Sequence, residues 1–109
     1  TFVVYSASFC DTPDYKLGLL ELTGDDPLNP ADWKKYDKPV FERANGVYGP
    51  GHNSFTKLVD GTDVLVYHAR QYTEIEGDPL WNPDRHTFVK TMQWDEQGMP
   101  VFGKPSMID

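Results

Sequence analysis

Several protein classes are excluded by what this sequence lacks. It has one cysteine, Cys10, so no internal disulfide can form and a disulfide-stapled scaffold is ruled out, although the redox compartment stays open. It has no basic run: ten Lys and Arg are scattered among seventeen Asp and Glu, for a net charge of −7. A nucleic-acid surface needs clustered cations to replace condensed counterions, so nucleic acid is not an expected partner. The same charge repels anionic lipid and acidic polysaccharide and leaves neutral ligands favoured. No apolar run is long enough to cross a bilayer as a helix, and the longest are strand-sized. The opening TFVVYSASF has no basic segment followed by a long apolar one, so it does not read as a signal peptide. No Met precedes Thr1, which sets the expectation that the true start lies upstream. Localisation stays open among secreted, periplasmic and cytoplasmic, in a bacterium or a fungus.

What is present is globular. The 109 residues suit at most one small domain, and 39% hydrophobic against 25% charged content separates the chain from disordered sequences. Aromatics reach 14%, a share that favours strands and also the walls of carbohydrate sites. Thr1 to Phe9 reads as a strand, and Asp11–Asp14 as turn chemistry. Tyr15 to Leu22 fits a strand or a short helix, and Gly18 with Thr23-Gly24 favours the strand. In the loop Asp25 to Trp33, Pro30 can open one helical turn with Asn29 as its cap. Lys38 to Arg43 reads as a short strand, followed by a Gly-rich stretch from Ala44 to Asn53. Ser54 to Val59 and Asp63 to Ala69 flank Asp60-Gly61, a hairpin signal. A polar loop, Arg70 to Asp84, leads to a strand over Arg85 to Trp94 with Phe88, Lys90, Met92 and Trp94 on one face. Asp95 to Pro100 is a turn and Val101 to Gly103 a last short strand. About seven short strands with scarcely any helix make an all-β meander, which sandwich, barrel and propeller fit equally.

One string narrows the choice. NGVYGPGHNSFTKLVDGTDVLVYHA, Asn45 to Ala69, resembles the last-blade signature of glycoside hydrolase family 43. DRHTFVKTMQWDEQGMPVFG, Asp84 to Gly103, resembles that family's terminal strand pair, and Val3–Phe9 with Tyr15–Leu22 its preceding blade. The loop YTEIEGDPLWNPDRH is similar to the branch made up mostly of α-L-arabinofuranosidases. The resemblance implies the last two blades of a five-bladed β-propeller, about seven to eight antiparallel strands, divided as a penultimate blade over 1–44 and a last blade over 45–109. It also implies an inverting glycosidase acting on α-L-arabinofuranosides of plant hemicellulose or pectin, with β-D-xylosides as the close alternative and a non-catalytic carbohydrate-binding β-domain as the other. In such a family an Asp base, a second Asp and a Glu acid come from earlier blades. The Glu-Gly-Pro-like motif that carries the acid is absent here, so this chain is expected to hold no catalytic carboxylate and to be inactive alone. Its expected partners are an arabinose- or xylose-containing saccharide and the missing N-terminal blades, or another copy of itself through exposed strand edges.

Candidate site residues follow. Gly51 and Pro50 let the backbone turn sharply at His52, and the resemblance places His52 in the central channel as a candidate calcium or water site. Calcium prefers oxygen ligands, so one imidazole is a weak contribution. The resemblance aims Arg85 at the acid Glu and the sugar, where a cation favours the ionised carboxylate; without it Arg85 is a solvated strand-start residue. Trp81 and Tyr72 either line a sugar subsite or cover a blade edge. His68 shares a strand face with Val64 and Val66 and reads as a buried, hydrogen-bonded core residue; His86 is weaker still. Glu74, Glu76 and Asp78 lie unrestrained in a polar loop and read as solvated. Cys10 has no base beside it and reads as a small buried residue. No His/Asp spacing supports a tight metal trio, and GPGHN lacks the Lys and helix of a phosphate loop.

Overall fold

The computed structural model describes residues 1–8, 13–75, 77–78 and 84–106. Eight strands appear among them, in chain order β1 (Phe2–Ala7), β2 (Lys16–Leu22), β3 (Trp33–Lys35), β4 (Tyr48–Lys57), β5 (Asp63–Arg70), β6 (His86–Thr91), β7 (Gln93–Trp94) and β8 (Pro100–Val101). They form one antiparallel sheet in the order β1-β2-β3, a second in the order β4-β5-β6, and a two-stranded β7-β8 pair. All strands follow one another as an antiparallel meander, as the turn spacing implies.

In the first sheet, period-two alternation sorts the side chains. Val4 faces Leu19 and Ser6 faces Leu17 across the ladder, and Leu17 and Leu19 are fully buried. Gly18 settles the choice between strand and helix for this segment. It sits opposite Tyr5, and a Cβ there would lie 2.4 Å from Tyr5 Cζ, so the bare backbone makes room for the ring. The expected helical turn is present as a short 3₁₀ turn over Pro30–Asp32, with the Asn29 side chain accepting from the Ala31 N–H. Two segments differ from expectation. Trp33, expected as the end of a loop, opens a strand with Lys34 and Lys35 that pairs with Leu20–Leu22. Residues 38–43, expected as a strand, make only a bridge at Phe41 opposite Leu17. The third strand of this sheet is interrupted by the turn around Pro39, which has no N–H to give to the ladder.

The second sheet carries the hairpin. β4 begins earlier than the Gly-rich composition suggests, at Tyr48, because two register shifts between Tyr48 and Ser54 absorb its glycines as bulges. Its turn is closed by the Leu58 N–H to Thr62 O bond at 2.9 Å and by Gly61 at φ 90°. The Arg85–Trp94 strand breaks in two at buried Met92, where β7 leaves β6 to pair with β8.

Between the sheets lies the core. Leu65, Tyr67 and Ala69, on one face of β5, meet Leu17, Phe41 and Val47. Phe41 is the centre: its ring meets Tyr67 edge-on at 4.9 Å and Phe102 at 6.5 Å. Such edge-to-face pairs add to the area they remove from water. The radius of gyration is 15.0 Å, above the roughly 13 Å of a single compact domain of this length. The molecule is therefore more extended than a self-enclosed sandwich of equal size.

Candidate functional site

The first strands of the two sheets, β1 and β4, lie side by side. Two bonds tie the sheets together near the start of β4. The Gly49 N–H donates to Pro13 O at 2.9 Å, and the His52 N–H donates to Ser6 Oγ at 2.9 Å. His52 stands in the left-handed region at φ 50°, a conformation that costs a non-glycine residue energy and persists where its surroundings hold it. The Ser6 bond and the two bulges supply that hold. The His52 side chain is exposed.

Three rings contact one another in succession here, with His68 between Tyr15 and His52. Tyr15 packs on the backbone of Gly51, where a Cβ would lie only 2.1 Å from its Cε2. The Tyr15 ring stacks on His68 at 5.7 Å and 24°. His68 in turn meets the His52 ring at 5.9 Å and 52°. Gly51 and His68 are paired across the β4–β5 ladder, so strand register itself sets His68 beside the bulge.

His68 departs from the expected hydrogen-bonded core residue. It is half-buried, and its Nδ1 is buried with no hydrogen-bond partner among the described residues. Burial, then the charges of Arg85, His52 and Arg70, push its pKa down to about 4, against a small opposing pull from its own backbone. Each cause disfavours a positive imidazole. His68 is thus neutral at ordinary pH, surrounded by groups that donate.

Arg85 precedes β6, is partly buried, and bears on His68 through its charge. Its neighbour Asp84 accepts a 2.6 Å hydrogen bond from the Tyr72 phenol, so Tyr72 closes the 70–85 loop just ahead of Arg85. Trp81, Glu76 and Cys10 lie outside the described residues. Glu74, Asp78 and His86 are exposed. The residue that sequence reading missed is Arg70, which ends β5 and is only 4% exposed. Its signal was available: alternation along DVLVYHAR puts Arg70 on the same face as His68. It was read instead as the start of the loop.

The structure therefore brings His52, His68, Arg70 and Arg85 into one electrostatic group. Among the described residues no three His, Cys, Asp or Glu side chains converge on a common point. Calcium takes six to eight oxygens, whereas this group offers imidazoles and guanidiniums. The residues present do not fit the ion.

The sheets have close counterparts among solved structures. The chain superposes with a TM-score of 0.89 and 46% identity on the α-L-arabinofuranosidase of Lactobacillus brevis, covering 99% of this chain and 34% of that one. A thermostable family-43 glycoside hydrolase matches with a TM-score of 0.72 and 29% identity, over 99% of this chain and 33% of that one. These neighbours are five-bladed β-propeller enzymes, which makes the sheets here blades of such a propeller.

Residues 1–100 match the sequence profile of glycosyl hydrolases family 43, and the chain belongs to that family. An extracellular exo-α-(1→5)-L-arabinofuranosidase of Streptomyces avermitilis is 49% identical over 108 positions, 95% of this chain and 22% of the relative. An α-L-arabinofuranosidase B of Pyricularia oryzae is also 49% identical over 108 positions, with the same coverage. The chain spans about a fifth of the length of these curated relatives.

Proposed function

We propose that this chain is one part of an inverting α-L-arabinofuranosidase acting on plant hemicellulose or pectin, and that it supplies one wall of the cleft without the catalytic acid and base. The observation that carries the reading is the grouping of the Arg70 and Arg85 guanidiniums with His52 and His68 where the two sheets meet, in a chain 49% identical to α-L-arabinofuranosidases. An inverting glycosidase needs two carboxyl groups roughly 6.5–9.5 Å apart, with a water seated between base and sugar. The exposed Glu74 and Asp78 belong to the 70–85 loop and do not fall on the positions that the family's acid and base take. The acid and base then belong to blades beyond this chain.

Arg85 and His52 would serve such carboxylates. A guanidinium facing the cleft favours the ionised state of a nearby carboxylate and donates in a planar fork to it or to a sugar hydroxyl. Tyr72 would hold the loop that carries Arg85, and Trp81 would offer a stacking face to the sugar ring. A calcium at the axis would have to draw its oxygens from water and from those other blades. The outer faces of the two sheets, which expose Val3 at 42% and Val89 at 58%, would pack on neighbouring blades, or on a second copy when those are missing. The extracellular S. avermitilis relative supports a secreted parent.

The test is turnover by the complete reading frame that contains this segment. Hydrolysis of 4-nitrophenyl α-L-arabinofuranoside with release of the inverted anomer, seen by proton NMR, is the expected result. Preference for the β-D-xyloside would move the assignment to a xylosidase. Saccharide binding without turnover would make the protein a binding module.

A further inference from the structure

The His68 ring is held on one face and left open at one atom. Tyr15 stacks on it at 5.7 Å and is itself pressed against Gly51, which stops the imidazole from turning freely. Its Nδ1 is buried and unmatched among the described residues. A buried polar atom left unpaired is costly, and native structures keep few of them. The charged and titratable groups that face it come from every neighbouring element: His52 from β4, Arg70 from its own strand, Arg85 from the segment before β6, and Tyr15 from ahead of β2. Guanidiniums only donate, and a neutral imidazole offers one acceptor nitrogen. His68 is therefore suited to accept from its neighbours.

We propose that His68 is a positioning residue for the cleft: clamped by Tyr15, it presents Nδ1 as the acceptor for a donor from the Arg70, Arg85 and His52 group, directly or through one water, and so fixes how Arg85 and His52 face the substrate. This rests on the glycosidase reading only for its link to catalysis; the hydrogen-bonding role stands on the geometry alone. In the glycosidase reading His52 and Arg85 face the cleft, and His68 acts through them.

The test compares His68→Phe, which keeps a ring and loses both nitrogens, with His68→Asn, which puts an acceptor near the place of Nδ1. Both are made in the complete protein containing this segment. Expected for His68→Phe is a kcat on 4-nitrophenyl α-L-arabinofuranoside lower by about 10- to 100-fold, the scale of a misplaced catalytic neighbour, with KM changed little. The Arg85 Nε–H and His52 ring signals should move in the NMR spectrum. His68→Asn should recover most of kcat and return both signals toward wild type. Unmoved signals in His68→Phe would overturn the proposal. So would equal losses in both variants that track only a lower melting temperature, because that pattern is packing. If the protein does not hydrolyse arabinofuranosides at all, the NMR comparison still decides the positioning role, so the two readings fail separately.

Discussion

The Tyr15 ring lies so close to the backbone of Gly51 that a Cβ at residue 51 would sit 2.1 Å from Tyr15 Cε2. Glycine is required there by close approach, since residue 51 is not among the positive-φ positions. Gly51→Ala must push Tyr15 off His68 or shift β4, and overpacking of this kind typically costs about 1–3 kcal/mol. Urea unfolding should show that loss. Adding Tyr15→Ala should return part of it, since the double change removes the clash along with the ring. A double variant no more stable than Gly51→Ala alone would mean that the contact is not the reason for the glycine.

Stability should depend on pH through His68. Its folded pKa is about 4, below the ordinary histidine value of 6.5, so between those pH values the unfolded chain binds more protons than the folded one. Stability then rises with pH across that window and falls as pH drops from 6.5 towards 4. Above 6.5 the imidazole is neutral in both states and contributes no slope. Carboxylates act in a lower window. Asp63 is held below the usual 3.8 first by the hydrogen bond from Lys57 and then by that from Trp94, and Asp60 by hydrogen bonds from Thr62. Their support is present above 3.8 and is lost as pH falls through their lowered values. Urea midpoints measured from pH 7 to 4 should lose most of their slope in His68→Asn. An unchanged slope would assign the acid sensitivity to another group.

Residue types made the strands and the hairpin legible, because alternation, Asp60-Gly61 and the aromatic runs are local signals. Asn29 and Pro30 marked their turn for the same reason. Breaks in the ladders were not legible. Phe41 is buried as a lone bridge opposite Leu17, and Pro39, which interrupts the ladder there, read from sequence as standing at the head of a strand. The bulges in β4 were hidden in a stretch whose glycines read as loop. His52 could be singled out from the glycines around it, but its ring partners could not: Tyr15 and His68 lie 37 and 16 residues away in sequence, and long-range pairings, the Gly51–His68 register and the Gly49–Pro13 bond, bring them near. Arg70 was missed because a charged residue at a strand end usually turns to water, and this one is buried against its neighbours.

Phe41 should be the costliest core truncation. It is 1% exposed and meets both Tyr67 and Phe102, so Phe41→Ala opens a cavity between the two sheets as well as losing burial. The loss should be about 3–5 kcal/mol, the range for buried Phe truncation, read from urea unfolding. Phe41→Leu should cost less, since most of the volume stays. Equal small effects from both would mean that the sheets close over the gap.

The Tyr72 phenol and the Asp84 carboxylate fix the residue next to Arg85, and this can be read at His68. Arg85 is the largest charge contribution to the lowered His68 pKa. Tyr72→Phe removes the 2.6 Å hydrogen bond to Asp84 and should free the loop to carry Arg85 away from the imidazole. The His68 pKa should then rise from about 4 towards its ordinary value, while burial keeps it from returning fully. Arg85→Gln sets the upper bound for this effect, because it deletes the charge outright. Carbon-detected NMR titration of the histidines in both variants gives the comparison. A His68 titration unmoved in Tyr72→Phe, yet raised in Arg85→Gln, would show that the guanidinium is held by contacts other than the Tyr72–Asp84 pair.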